Sequence, residues 1–155
     1  MTFRVVALDS APFQHLFGLS DAALAGAGVK AYRADRAPGF PCRVSLSDAE
    51  VGARVLLLNY EHLAVDTPYR SRHAIFVREG AVRAEPSIGE LTPYLRGRLL
   101  SVRAFDGADM MSDADVVDGA AAEPVIARML ADPATSYLHV HSAKRGCYLA
   151  RIERA

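Results

Sequence analysis

The sequence predicts an α+β fold in which two or three short helices pack on a mostly antiparallel or mixed sheet of short strands. Short apolar runs follow one another mostly without a helix between them, unlike the strand–helix alternation of doubly wound parallel sheets. The chain has 155 residues, and its sequence contains no internal repeat, linker or low-complexity tract. This length is typical of about one domain, so we expect a single domain over residues 1–155.

Apolar runs bounded by turn residues predict eight or nine strands. They cover residues 3–8, 29–34, 42–46, 55–60, 73–78, 81–84, 99–105, 137–142 and 147–151. The last two runs are expected to form a hairpin around a turn at residues 143–146. The run at 55–60 is apolar on both faces, which is typical of a central strand covered on both sides. Residues 106–118 carry five aspartates and are expected to form a polar connection.

Helix signals occur at three places. Ser20 is the expected N-cap of a short helix that Gly26 or Gly28 ends. Thr92 and Pro93 suit the start of a second helix. The third and best helix covers residues 120–131, where apolar residues repeat at i and i+4 to form one face.

Composition excludes several classes of protein. The 18 basic and 18 acidic residues argue against nucleic acid or an anionic membrane as the partner, because excess positive charge supplies most of that affinity. No apolar run is long enough to span a bilayer, and the N-terminus lacks the pattern of a signal peptide. The two cysteines are too few for a disulfide framework. We therefore expect a cytoplasmic protein.

Two motifs fail on inspection. The glycines Gly26 and Gly28 formally match a dinucleotide-binding pattern, but they follow a predicted helix and precede a strand, which is the wrong order. Asp113 and Asp115 resemble the start of a calcium loop, yet Pro124 stands where the bidentate glutamate is required. No cofactor is assigned from the sequence.

The first candidate site segment is residues 38–43, where two prolines and a glycine form a stiff loop ahead of Cys42 and Arg43. Such a loop can hold a thiol nucleophile and an anion-binding guanidinium in fixed positions. The alternative is a rigid turn that leads into a core strand with a buried, inert cysteine.

The second segment is residues 68–73. Arg70 and Arg72 project to one side of an extended chain, a spacing that suits a carboxylate or phosphate, with Tyr69 beside them. His73 shares the other side with core residues and is a candidate acid/base group. The alternative is a solvated charged loop with a structural histidine.

The third segment is residues 137–142. Strand alternation places Tyr137, His139 and His141 on one face. Two histidines at i and i+2 can reach one metal ion, but a third ligand would have to come from elsewhere in the fold, so we predict no metal site. His141 is instead a candidate acid/base group and His139 a candidate ligand-binding residue. A simple polar strand face is the alternative.

Four sequence blocks carry a family resemblance. They are GLSD at 18–21, PGFPCRVSL at 38–46, VLLLNY at 55–60 and PYRSRHAIFV at 68–77. Over nearly its whole length the chain resembles the bacterial proteins grouped as domain of unknown function 1203. This resemblance implies a bacterial single-domain protein and brings no activity, cofactor or catalytic residue with it.

Two hypotheses of function remain, and whether the protein is an enzyme stays undecided. In the first, the three segments converge on one pocket that binds or acts on a small anionic molecule. Arg43, Arg70 and Arg72 would hold the anion, His73 or His141 would move a proton, and Cys42 would be a nucleophile. In the second, the chain is a noncatalytic interaction or structural domain, with a homodimer covering exposed strand edges.

Overall fold

The computed structural model describes residues 2–155 and contains two five-stranded sheets with three α-helices. The α+β class is thereby confirmed. The strands are β1 (Phe3–Val6), β2 (Lys30–Arg33), β3 (Pro41–Cys42), β4 (Ser47–Asp48), β5 (Arg54–Leu63), β6 (Ser71–Arg78), β7 (Leu99–Asp106), β8 (Met111–Asp118), β9 (Thr135–Ser142) and β10 (Tyr148–Arg154). The helices are α1 (Asp21–Gly26), α2 (Pro93–Arg96) and α3 (Ala122–Ala131).

The first sheet has the strand order β1-β10-β9-β7-β8 and is antiparallel throughout. One of its faces packs against α3. Leu138 and Val140 of β9 share a core with Ile126 and Leu130 of the helix, and all four are almost fully buried. The other face of β9 is therefore left to contact a different part of the molecule.

The second sheet has the order β2-β5-β6-β3-β4, and all its pairs are antiparallel except β3 with β6. Leu56 and Ile75 pack against the segment before β2, in a core that includes Leu24 of α1. Val55 and Phe76 contribute to a second, smaller core. Both faces of the strand predicted at 55–60 are therefore covered, which explains why apolar residues lie on both of them.

Several local predictions are confirmed. The Ser20 hydroxyl accepts a hydrogen bond from the Ala23 N–H at 3.2 Å, as an N-cap does. Helix α3 covers most of the predicted range, and β9 and β10 form the predicted hairpin. No helix in the described part of the chain is long and apolar enough to cross a bilayer.

The polar connection predicted at 106–118 is wrong, because residues 111–118 form strand β8. This strand lies at the edge of the first sheet and pairs only with β7, so alternate side chains can remain in solvent. Asp113 and Asp115 lie on this exposed side and form ion pairs with Arg128 of α3, at 2.6 and 3.3 Å. Charged residues are common on edge strands because they discourage pairing with another chain.

Two other strand predictions need correction. Residues 81–84 form no strand, because β6 already has β5 and β3 on its two sides, and the Ala84 N–H instead donates to the Val44 carbonyl at 2.8 Å. The strand predicted at 42–46 shrinks to Pro41–Cys42, after which the chain turns and returns as Ser47–Asp48.

Gly119 provides a test of the packing between the start of α3 and the end of α2. A Cβ atom at this position would lie 2.1 Å from the Leu95 carbonyl oxygen and 2.8 Å from that of Arg98. Because these backbone atoms cannot move without distorting the end of α2, we expect Gly119→Ala to lower the free energy of unfolding by about 2 kcal/mol or more. Urea unfolding followed by circular dichroism measures this loss.

Gly97→Ala is the matched control for this substitution. Gly97 follows α2, and a Cβ atom there would meet only the Pro93 carbonyl oxygen, at an ordinary contact distance of 3.5 Å. The control should change stability far less than Gly119→Ala. Equal stability of the two variants would show that the Leu95 and Arg98 carbonyls do not pack against Gly119.

Candidate functional site

A cavity of about 830 Å³ lies where the second sheet meets the turn between β9 and β10. Its first wall comes from β2, β5, β6 and the loop before β3, and its second wall comes from the region of α2 and from the β9–β10 turn. A volume of this size is typical of sites for small organic ligands. The cavity is therefore the first candidate for a functional site.

Positive charge predominates around this cavity. Five cationic side chains line it: Arg36, Arg43, Arg98, Lys144 and Arg145. The two carboxylates in the lining each pair with one of them, Asp35 with Arg36 and Asp48 with Arg98. The other three have no carboxylate of residues 2–155 within ion-pair distance, so the walls carry an excess of three positive charges.

Arg43 is the most deeply placed of these cations, with only 1% of its surface exposed. Its Nε donates to the Tyr148 carbonyl at 2.7 Å and its Nη1 donates to the Pro41 carbonyl at 2.5 Å. These carbonyls hold the guanidinium in one orientation but do not neutralise it. Burial of a charge is costly unless an opposite charge or strong hydrogen bonds compensate for it.

Lys144 and Arg145 lie on the tight β9–β10 turn and are exposed. The turn closes through the Gly146 N–H, which donates to the Ser142 carbonyl at 2.7 Å, and Gly146 has a φ of 78°. Glycine adopts this left-handed conformation without steric strain. The turn was predicted from the sequence, but its place beside Arg43 depends on how the two sheets pack.

Of the eight site residues predicted from the sequence, the structure brings Arg43 and His73 to this cavity. His73 is exposed, and its Nδ1 lies 3.0 Å from the Ala74 carbonyl oxygen. It lies near the start of β6 opposite Tyr60, two residues before the buried Ile75. A histidine at the edge of a cavity can exchange protons with a bound molecule.

The other predicted residues of the first two segments lie outside the cavity lining. Cys42 is fully buried, and its Sγ accepts a hydrogen bond from the Arg78 N–H at 3.3 Å. Arg70 pairs with Glu61 at 2.8 Å, and Arg72 donates to the Asn59 side chain. Tyr69 packs edge-to-face on Phe105, with ring centroids 6.1 Å apart. The thiol that does line the cavity belongs to Cys147, which sequence reasoning did not select.

His139 and His141 also lie outside the cavity lining, in a second feature that we call the histidine cluster: His62, His139, His141 and Tyr148. The centroids of the three imidazole rings are 5.0 to 6.2 Å apart, and the Tyr148 ring stacks on His62 at 5.5 Å. His139 and His141 occupy the face of β9 opposite α3, as strand alternation predicts, and they are 3% and 1% exposed.

Burial keeps the imidazoles of this cluster uncharged. Burial, together with the nearby Arg103 guanidinium, lowers the pKa of His62 to about 4 and the pKa values of His139 and His141 to about 3. His141 Nδ1 lies 2.9 Å from the Gly146 carbonyl oxygen, which selects the tautomer with hydrogen on Nδ1. The Nδ1 atoms of His62 and His139 are buried without a hydrogen-bond partner.

The histidine cluster shows what the sequence does and does not reveal about this site. His139 and His141 were found from their spacing, whereas His62 was missed because β5 continues three residues beyond the predicted strand through a register shift. Within residues 2–155, no three His, Cys, Asp or Glu side chains are placed to hold a metal ion.

The lowered pKa values predict that the protein loses stability in mild acid. A histidine in the unfolded chain binds a proton near pH 6.5, whereas the buried ones do not until about pH 3 or 4. Between these limits the unfolded state holds more protons, so the free energy of unfolding falls as the pH falls, by about 1.4 kcal/mol per pH unit for each of the buried His139 and His141 and by less for the half-buried His62. Urea unfolding at pH 7.5 and pH 5 measures the loss.

His139→Leu should make this pH dependence shallower, because it removes one of the three groups. His15→Gln is the control, since His15 is exposed on the segment before α1 and lies outside the cluster. An unchanged slope in His139→Leu would show that the cluster does not cause the acid sensitivity.

The comparisons with known proteins identify the family of this chain. No curated protein and no solved structure matches the chain. The family model described as a protein of unknown function (DUF1203) matches residues 39–154, a range that contains Arg43, the β9–β10 turn and the whole histidine cluster. The chain therefore belongs to the DUF1203 family.

Proposed function

We propose that this protein binds a small anionic molecule in the cavity between its two sheets. The observation that carries the proposal is the buried Arg43, which lines the cavity and whose guanidinium has no carboxylate partner among residues 2–155. Lys144 and Arg145 add two further positive charges that no carboxylate in the same residues neutralises. An anion in the cavity would compensate for all three.

The cavity combines one cation that is held in place with two cations that are exposed. The guanidinium of Arg43 is held by two backbone carbonyls through Nε and Nη1, and its remaining N–H groups would donate to a carboxylate or phosphate group. Lys144 and Arg145 lie on an exposed turn, where their long side chains can adjust to ligands of different shape. Arg43 would orient the anion, and the exposed Lys144 and Arg145 would attract it.

The low exposure of Arg43 strengthens its interaction with an anion. A pair of opposite charges attracts several times more strongly where protein replaces water than at an open surface. The two acidic residues in the lining do not compete, because each already pairs with its own arginine. The proposal assigns binding only, with His73 and the Cys147 thiol on the wall as the groups that a reaction would use.

Inorganic phosphate is a suitable probe of anion binding. We expect it to raise the melting temperature in a saturable manner at constant ionic strength, because a ligand that binds only the folded state stabilises it. Added sodium chloride should weaken the effect by screening the exposed cations. Differential scanning fluorimetry and isothermal titration calorimetry measure both. A melting temperature that depends on ionic strength alone would contradict the proposal.

The two lysines of the chain form a matched pair of variants. Lys144 lines the cavity, whereas Lys30 lies on β2 with its ammonium 4.9 Å from the Tyr32 ring centroid and outside the lining. We expect Lys144→Gln to weaken phosphate binding by about threefold, and the double change with Arg145→Gln to weaken it by about tenfold, which are the losses typical of partly exposed charge pairs. Lys30→Gln should have no effect.

Arg43→Gln tests the residue on which the proposal rests. We expect it to abolish measurable phosphate binding, because the deepest of the three unneutralised charges is lost. Circular dichroism and urea unfolding establish that this variant is folded. If Arg43→Gln and the Lys144/Arg145 double variant both bind phosphate as the parent protein does, the cavity is not the anion site.

A further inference from the structure

The cavity has an aromatic wall that the binding of a simple anion does not require. Tyr32, Phe40 and Phe76 all line it, and their ring centroids lie 5.3 to 6.5 Å apart. Phe76 meets both of the other rings edge-on or nearly so, at interplanar angles of 85° and 61°. These distances and angles are the ones that aromatic rings prefer when they attract one another.

The elements that supply the two kinds of wall are different. The aromatic rings come from β2, β6 and the loop before β3, which belong to the second sheet and its surroundings. Lys144 and Arg145 come from the turn of the first sheet, and Arg43 bonds to that sheet at Tyr148. The cavity between them has about 830 Å³, which is far more than a phosphate or acetate ion occupies. A ligand that fills it must meet both surfaces.

We infer that the ligand is a small aromatic anion: a flat ring that packs against Tyr32, Phe40 and Phe76, carrying a carboxylate or phosphate that binds Arg43, Lys144 and Arg145. This inference rests on the proposed function and adds the chemical class of the ligand. A flat ring extends the edge-to-face packing already present in the wall, which a saturated ring of the same size cannot do.

The remaining contacts of the aromatic wall agree with this assignment. The guanidinium carbon of Arg36 lies 5.6 Å from the Phe40 ring centroid, and a Cβ atom on Gly39 would come within 3.0 Å of the Arg36 side chain. Glycine at this position therefore lets the arginine lie over the loop. The same cation can lie over the face of a bound aromatic ring, because cations are attracted to ring faces.

The test compares ligands that differ in one property at a time. Naphthoate supplies both the flat ring and the charge, decalin carboxylate keeps the charge on a saturated ring, and naphthamide keeps the flat ring without the charge. We expect naphthoate to bind about tenfold more tightly than either analogue, by isothermal titration calorimetry at fixed ionic strength. The chain has no tryptophan, so naphthoate fluorescence provides a second readout with little protein background.

Variants of the wall identify where the ring binds. Phe76→Leu should reduce naphthoate affinity by about fivefold while leaving decalin carboxylate within twofold, since leucine keeps an apolar surface but loses the ring. Tyr32→Leu, on the edge strand β2, is the second variant if Phe76→Leu folds poorly. Phe17→Leu is the control, because Phe17 is also partly buried but packs in a different cluster outside the cavity.

The outcomes separate this inference from the function on which it rests. If decalin carboxylate and inorganic phosphate bind as tightly as naphthoate, the aromatic assignment is wrong and anion binding stands. If naphthamide binds as tightly as naphthoate and phosphate does not bind, the cavity is an apolar site and both ideas fail. A preference for naphthoate that survives in both wall variants would also overturn the assignment.

Discussion

The placement of Arg43 is the constraint on which the rest of the site depends. Its backbone N–H donates to the Phe76 carbonyl of β6 at 3.3 Å, and its carbonyl accepts from the Leu8 N–H at 3.0 Å. Its side chain reaches the other sheet at Tyr148. One residue thus connects the two sheets through both its backbone and its side chain. Because a guanidinium stays charged at any pH at which proteins fold, that connection encloses a permanent positive charge.

The first sheet separates two environments with opposite requirements. On the α3 side, aliphatic residues such as Leu138 and Val140 need only close packing. On the other side, His139 and His141 lie near Arg103 and Arg151, where additional positive charge would be repelled. Burial resolves this conflict because it keeps the imidazoles neutral. The histidine cluster therefore adds no positive charge beside the cavity at neutral pH.

Local patterns predicted the parts of this fold that local physics determines. The i, i+4 repeat of α3, the Ser20 cap and the alternation of His139 and His141 each depend on residues close in sequence. The pairing of β8 does not depend on such local patterns, because an edge strand tolerates charged side chains. The position of His62 does not either, because a register shift extends β5 past its apolar run. No local pattern predicts that Arg43 lies near the β9–β10 turn, because the two are about a hundred residues apart in the sequence.

Overall neutrality and a cationic cavity are compatible because the acids lie elsewhere. Asp113 and Asp115 on the outer strand pair with Arg128, and Glu61 pairs with Arg70. Other acids, such as Glu50, Asp66 and Glu85, are exposed outside the cavity lining, so they balance the charge of the whole chain without neutralising the cavity. A cavity bounded by protein on several sides focuses the field of its own charges, whereas surface pairs are screened within about 10 Å at ordinary ionic strength. A net charge of zero therefore does not argue against a small anion, because its binding depends on the few cations that surround it.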